Sequence, residues 1–342
     1  MDVRFSEEEV LLRDSVLAQA LKLTPAGTPA LDDYDDRPLW GGLAAAGALG
    51  LGVDEALGGA GTAVDAALVA MALGRALAPV PYLGCGVLPA HLLALAGAEA
   101  ALVEAVVAGR RRLAVGLDPD TGALAAWGAP ALAWDAAGAE AALVRRDGGI
   151  GAVALGPPAA GVDLTRRVRW CEPGAAVRLD GGGTLSDAAE ARWRALACCL
   201  AAADIVGVME GALALAVEHA GTREQFGVPI GTFQAIQHLL ADQHTSLEGA
   251  RAVTVHAAWA LDHRDPVEAE LAAHTAKAYC SDAGKRCCEA VVQVHGGMGM
   301  TWECRAHVFL KRVLFDRAFL GDERVHFRRI AELRGREAGG GL

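Results

Sequence analysis

Two long helical patterns joined by one short turn constrain this chain more than any other feature. Ser186 to Ala220 is apolar and breaker-free until Gly221, and Thr232 to His263 runs without an internal proline. At about 1.5 Å per residue the second helix spans roughly 48 Å. A third opens with Asp265, Pro266 and Glu268, an N-cap, a first-turn proline and a capping acid, and continues to His295 before Gly296-Gly297. Arg305 to Leu320 and Asp322 to Leu333 follow, split by Gly321. Long antiparallel helices with short connections make a four-helix bundle.

The turn itself, TREQFGVPIGTFQAIQHLLADQH from Thr222 to His244, has the chemistry of an anion site. An arginine and the turn residues Gly227, Pro229 and Gly231 stand directly before a new helix start. The free amides and positive dipole end of such a start favour a phosphate, and Arg223 offers it a rigid fork of donors. Local physics alone leaves a plain helix connection with a solvated arginine equally open.

The rest of the chain places this turn within three regions. Residues 1–109 read as a helical N-terminal domain: Ser6 and Glu9 form a capping box, and Pro79 and Pro81 stop the apolar pattern of Asp65 to Leu77. Gly58-Gly59 and Gly61 follow no strand and read as a turn between helices. Residues 110–185 read as a small middle β domain, with strands expected at Leu113 to Leu117, Ala141 to Val144, Gly151 to Leu155 and Val177 to Leu179. Residues 186–342 form the bundle. The fold class is mostly α with a small central β domain.

With 342 residues the chain is long enough for two or three packed units. A net charge of -11 argues against a nucleic-acid surface. The acidic N-terminus carries no secretory pattern, and no run of about 18 uninterrupted apolar residues suggests a membrane partner, so a cytoplasmic protein is expected. The eight cysteines include the adjacent pairs Cys198-Cys199 and Cys287-Cys288 but no C-x-x-C spacing, which fits neither a disulfide frame nor a zinc site. A di-iron bundle needs two Glu-x-x-His pairs, and Glu323 to His326 is the only one. No metal is expected.

Arg223, Phe226, Gly227, Pro229, Ile230, Phe233, Gln234 and Gln237 match a pattern that resembles the flavin signature of the acyl-CoA dehydrogenase family. VQVHGGMG at Val292 to Gly299 resembles its second signature, and FSEEE at Phe5 to Glu9 and LGLGVDEALGGAG at Leu49 to Gly61 extend the likeness to the N-terminal third. The resemblance implies a helical N-terminal domain, a β-barrel-like middle domain and a C-terminal four-helix bundle. It also implies FAD as cofactor, an acyl-CoA substrate and an electron-transfer flavoprotein as acceptor.

In the family, the flavin ring lies in one subunit and the adenosine diphosphate tail meets a neighbour. The residues that resemble the tail-binding half are Arg223, Gln225, Phe226, Gln234, Gln293, Gly296 and Gly297. Taken singly, Phe226 and Phe233 read equally as core residues, Gln293 as a solvated helix residue and Gly296-Gly297 as a helix cap.

The ring-binding half departs from the pattern. Where the family carries a Thr-Glu-Pro-x-Ala-Gly-Ser-like run, this chain reads Asp118-Pro119-Asp120-Thr121-Gly122-Ala123, a turn sequence. Leu320 occupies the place of the usual catalytic Glu, and Ala197 aligns with the family's second base position. Asp322 and Glu323 are the nearest carboxylates. The resemblance is therefore to the shorter, degenerate subunit of heteromeric bacterial acyl-CoA dehydrogenases of the steroid side-chain type. It implies a longer homologous partner in an α2β2 tetramer. A self-sufficient homotetramer with a displaced base, or a non-catalytic scaffold of the same fold, are the alternatives.

Overall fold

The computed structural model describes residues 5–31, 33–159 and 161–339. The first part is helical: α1 (Glu7–Leu23), α2 (Arg37–Ala45), α3 (Ala63–Arg75), α4 (Leu88–Leu95) and α5 (Ala100–Val107). The Ser6–Glu9 capping box is formed in full, and a second one, Thr62 with Asp65, starts α3. Gly58 to Gly61 turn sharply into α3, and a Cβ on Gly59 would lie 2.1 Å from the Val53 carbonyl oxygen.

Five strands follow: β1 (Leu113–Leu117), β2 (Leu132–Ala133), β3 (Ala141–Arg146), β4 (Gly149–Pro158) and β5 (Arg169–Val177). They close a barrel in the order β1-β2-β5-β4-β3, antiparallel except for the β1–β3 pair. The strand expected at Val177 to Leu179 lies almost wholly upstream, and β2 was not anticipated. Strand β5 is mostly exposed and contains Pro173 and Gly174, so it offers no alternation to read. The two residues of β2 are fixed by pairing with β1 and β5, a non-local cause.

The bundle comprises α6 (Asp187–Thr222), α7 (Gln234–His263), α8 (Pro266–His295), α9 (Ala306–Ala318) and α10 (Glu323–Gly339). Between α6 and α7 stands a two-stranded hairpin, β6 (Glu224–Gln225) with β7 (Val228–Pro229). Helix α6 is the axis of the molecule and packs on α3, α7, α8 and α9. Its glycines permit backbone contact with α3: a Cβ on Gly207 would sit 2.0 Å from the Met71 carbonyl oxygen, and one on Gly211 2.4 Å from that of Arg75. Helix α6 is long and apolar enough to cross a membrane, and 72% of its apolar window is buried inside the protein.

A buried ionic network ties barrel to bundle. Arg312 on α9 donates from Nε and Nη2 to the Asp204 carboxylate of α6 at 2.7 and 2.9 Å, and from Nη1 to Thr165 Oγ1 at 2.6 Å. Arg166 reaches Asp135 at 2.5 Å and Asp204 at 3.3 Å. Burial and the neighbouring Asp204 charge push the Asp316 carboxyl well above its usual range. Against the cost of burial, the Arg312 and Arg166 charges hold Asp204 below its own. One proton on Asp316 thus lets four further charges share a dry site.

Candidate functional site

Arg223 ends α6, its amide closing the last turn on the His219 carbonyl at 2.8 Å. Its side chain is exposed and makes no hydrogen bond or ion pair with any described residue. The chain then reverses at Phe226 and Gly227, both left-handed at φ 54° and 80°, the geometry of a tight hairpin turn. A phenylalanine in that region is strained. Phe226 is also 93% exposed, so its reading as a core residue is corrected: it stands at the hairpin tip and meets only the edge of Phe233 at 6.2 Å. Gln225 folds its amide back onto the Glu224 carbonyl.

Gln234 is the first residue of α7 and lies exposed. Helix α7 starts two residues later than the Thr232 read from sequence, because Ile230–Thr232 wind as a 3-10 turn. Its N-cap is Phe233, which has no oxygen to offer, so no side chain caps the first amides. An uncapped helix start beside an unpartnered arginine is a fitting receptor for a pyrophosphate.

The second signature reaches the same end of the bundle. His219, one turn before Arg223, stacks on His295 with ring centroids 4.3 Å apart, and His295 directly precedes Gly296. Gly296 adopts φ 61°, and a Cβ on either Gly296 or Gly297 would meet nothing within 4 Å. Open space at glycines allows another molecule to approach the backbone closely. Gln293 is exposed, and its carbonyl caps α8 by accepting the Gly296 amide. Met298, Met300 and Trp302 beyond it present apolar side chains to solvent.

In the other half the loops are tied to each other. Asp118 Oδ1 accepts from the amides of Thr121 and Asp120 at 2.7 and 3.0 Å and from the Thr121 hydroxyl at 2.9 Å. Those bonds hold the Asp118 carboxyl below its usual range and leave Thr121 no free donor. Gly122 lies against the next loop, where its Cβ would stand 2.7 Å from Leu320 Cα. Arg194 on α6 bridges both loops, donating to the carbonyls of Thr121 at 3.4 Å and Leu320 at 3.2 Å. Leu320 is fully buried, at φ 63°, outside any helix. The expectation that α9 runs through Leu320 is thus corrected: it ends at Ala318.

Both neighbouring carboxylates are engaged within the chain. Glu323 accepts from Arg317 Nε and Nη2 at 2.8 and 2.5 Å, and this pairing holds its carboxyl below the usual range. Asp322 Oδ1 accepts the Arg324 amide at the start of α10. The depressed Glu323 carboxylate is a weak proton acceptor. Ala197 is buried within α6 and has no ionisable atom.

The architecture defines a class of flavoprotein, and the comparisons fix the family. Residues 6–102 match the model of the acyl-CoA dehydrogenase N-terminal domain, and residues 196–333 that of the C-terminal domain. The acyl-CoA dehydrogenase IpdE2 of Mycobacterium tuberculosis is 32% identical over 95% of this chain and 96% of its own length. The acyl-CoA dehydrogenase FadE27 of the same organism is 33% identical over 90% of this chain and 91% of its own. Among solved structures, the ChsE4-ChsE5 complex from Mycobacterium tuberculosis superposes with a TM-score of 0.84 at 30% identity, covering 98% of this chain and 99% of the matched one. The Tcur3481-Tcur3483 steroid acyl-CoA dehydrogenase, a G363A variant, gives 0.83 at 26%, covering 97% and 99%. This chain belongs to the acyl-CoA dehydrogenase family of FAD-dependent oxidoreductases.

Proposed function

We propose that this chain is the cofactor-completing subunit of a heteromeric acyl-CoA dehydrogenase. In this reading Arg223, Gln225, Phe226, Gln234, Gln293, Gly296 and Gly297 receive the adenosine diphosphate tail of an FAD whose ring belongs to a longer homologous partner. The observation that carries it is the asymmetry of the two halves. The tail-binding end is open, with an unpartnered arginine and an uncapped helix start, while the ring-binding end is latched by Arg194 between Thr121 and Leu320.

Bound there, FAD supplies the hydride acceptor for α,β-dehydrogenation of an acyl-CoA. Arg223 would neutralise pyrophosphate charge, the uncapped start of α7 would favour its oxygens, and the glycine pair would leave room for backbone approach. The partner supplies the base, since Leu320 has none to offer. The exposed Phe226, Met298, Met300 and Trp302 are apolar surface of the kind buried in permanent assemblies. Similarity to the ChsE4-ChsE5 complex supports a two-chain assembly, and similarity to a steroid acyl-CoA dehydrogenase favours a steroid-derived acyl group. An electron-transfer flavoprotein is the expected electron acceptor. The expected organisation is α2β2 in the cytoplasm.

The test is flavin absorbance per polypeptide together with mass by light scattering, on this chain alone and co-expressed with a longer homologue encoded beside it. One FAD per heterodimer and little or none on the chain alone is the expected result. A yellow homotetramer of this chain whose flavin bleaches on adding an acyl-CoA would overturn it.

A further inference from the structure

Three buried side chains that no sequence motif connects meet beneath the latched loops. Cys198 comes from α6, His274 from the third turn of α8 and His326 from the first turn of α10, and all are shielded from solvent. One ligand atom from each lies within 4.8 Å of the others. The two imidazoles face each other through Nδ1 at 2.7 Å.

The far nitrogens explain why that contact is chemically unusual. His326 Nε2 stands 3.0 Å from the Gly321 carbonyl, which only accepts, so the ring hydrogen is on that nitrogen. His274 Nε2 faces the Glu270 carboxylate at 3.6 Å, which assigns its hydrogen in the same way. With their outer nitrogens engaged, the two Nδ1 atoms at 2.7 Å must share a proton or take a metal ion between them. A histidine whose outer nitrogen is held by a carboxylate or a backbone carbonyl is also how metal-ligating imidazoles are oriented.

We propose that Cys198, His274 and His326 form a transition-metal site, with zinc the ion that best fits one thiolate and two imidazoles. Tetrahedral zinc bonds of about 2.0 to 2.3 Å separate two nitrogens by about 3.3 Å. The imidazoles, now end-on with centroids 5.0 Å apart, must part by roughly half an ångström and turn until both lone pairs meet at one point, and the thiol must close in. Three cations flank the cluster, and each is engaged. Arg194 holds the two loop carbonyls, Arg329 pairs with Glu270, and Lys277 donates to Ser281 Oγ and the carbonyls of Arg317 and Gly321, each at 3.1 Å. Their charge opposes any bound cation, so an ion here depends on its bonds to the thiolate and the two imidazoles. A cleft of about 480 Å³, lined by Glu270, His274, Thr121, Arg194 and Arg328, gives the ion an entry and a water for the fourth position. The metal would staple α6, α8 and α10 where the fold carries no catalytic base.

The test uses the purified chain, with its partner if co-expression is needed, stripped by chelation and reloaded. Plasma mass spectrometry should find one zinc per chain after dialysis. Cobalt loading should give a thiolate-to-metal charge-transfer band in the near ultraviolet and visible bands of tetrahedral intensity. Cys198→Ala should abolish the charge-transfer band, and His326→Gln should weaken zinc binding at least tenfold. Glu270→Gln should weaken it about 10- to 100-fold by freeing the His274 ring. The cobalt spectrum of the unmutated chain stands even if a variant fails to fold. Sub-stoichiometric metal, or a cobalt spectrum without the thiolate band, would show a shared proton between the imidazoles instead and overturn the proposal.

Discussion

Arg223 and Arg312 carry the same charge and opposite duties. Arg223 is exposed with no ionic partner, so removing it leaves nothing unpaired within the chain. Arg223→Ala should leave thermal stability unchanged and weaken flavin retention in the assembled complex by about 1.5 to 3 kcal/mol, the worth of a hydrogen bond to a charged group. Unchanged flavin content would count against the assignment. Arg312 is fully buried and shares its charge with Asp204, while Asp316 beside it holds a proton. Asp204→Asn removes two short bonds to Arg312 and leaves Asp316, at 3.5 Å, to ionise in its place, so it should cost about 1 to 3 kcal/mol by urea unfolding. Asp316→Asn replaces a neutral carboxyl with a neutral amide and should stay within about 1 kcal/mol of the parent. Equal costs for the two would mean that the proton is misassigned.

Helix α6 depends on glycine where it crosses α3. Gly207→Ala would press a methyl group onto the Met71 carbonyl, and the helices can only move apart, a change expected to cost about 2 to 3 kcal/mol. Gly221→Ala, near the end of the same helix, meets nothing within 4 Å and should be neutral or stabilise by up to about 1 kcal/mol. Similar unfolding midpoints for the two would refute the contact.

The helices were legible because their signals are local. The apolar runs, the Ser6–Glu9 box and the Asp265-Pro266-Glu268 start each lie within a few residues of what they determine. Strand β1 was legible as a short apolar run bounded by turns, whereas β2 and β5 take their places from partners distant in sequence. The open end of the candidate site was legible because its turn and glycine pair are contiguous motifs. The latch was not, since nothing near Leu320 in sequence announces that Arg194 will bridge to it. Nor could spacing predict a pairing of His274 with His326 across 52 residues.

Across the whole molecule, acid sensitivity has an identifiable source at His91. Burial is the main cause that lowers its pKa from 6.5 to about 4, opposed by its hydrogen bond to the Leu51 carbonyl and helped by the Arg192 charge. The unfolded chain then binds more protons than the folded one between those two values. Stability is whole above pH 6.5 and falls as pH drops toward 4, by about 2 to 3 kcal/mol for this group. His91→Gln keeps a donor for Leu51 without the titration, so its melting temperature should decline less steeply over that window. Parallel declines would exclude His91 as the source.

Phe226 at its strained hairpin tip, with Met300 and Trp302 also open to water, makes abundance a physical variable. Copies made in excess of whatever covers that surface meet one another first, and apolar surface does not distinguish the intended contact from an accidental one. Yield would then follow the ratio in which two polypeptides are synthesised more closely than the strength with which they bind. If a second chain covers that surface, a cell is expected to make the two in step, and the chain purified alone should self-associate as its concentration rises, a change that light scattering reads directly.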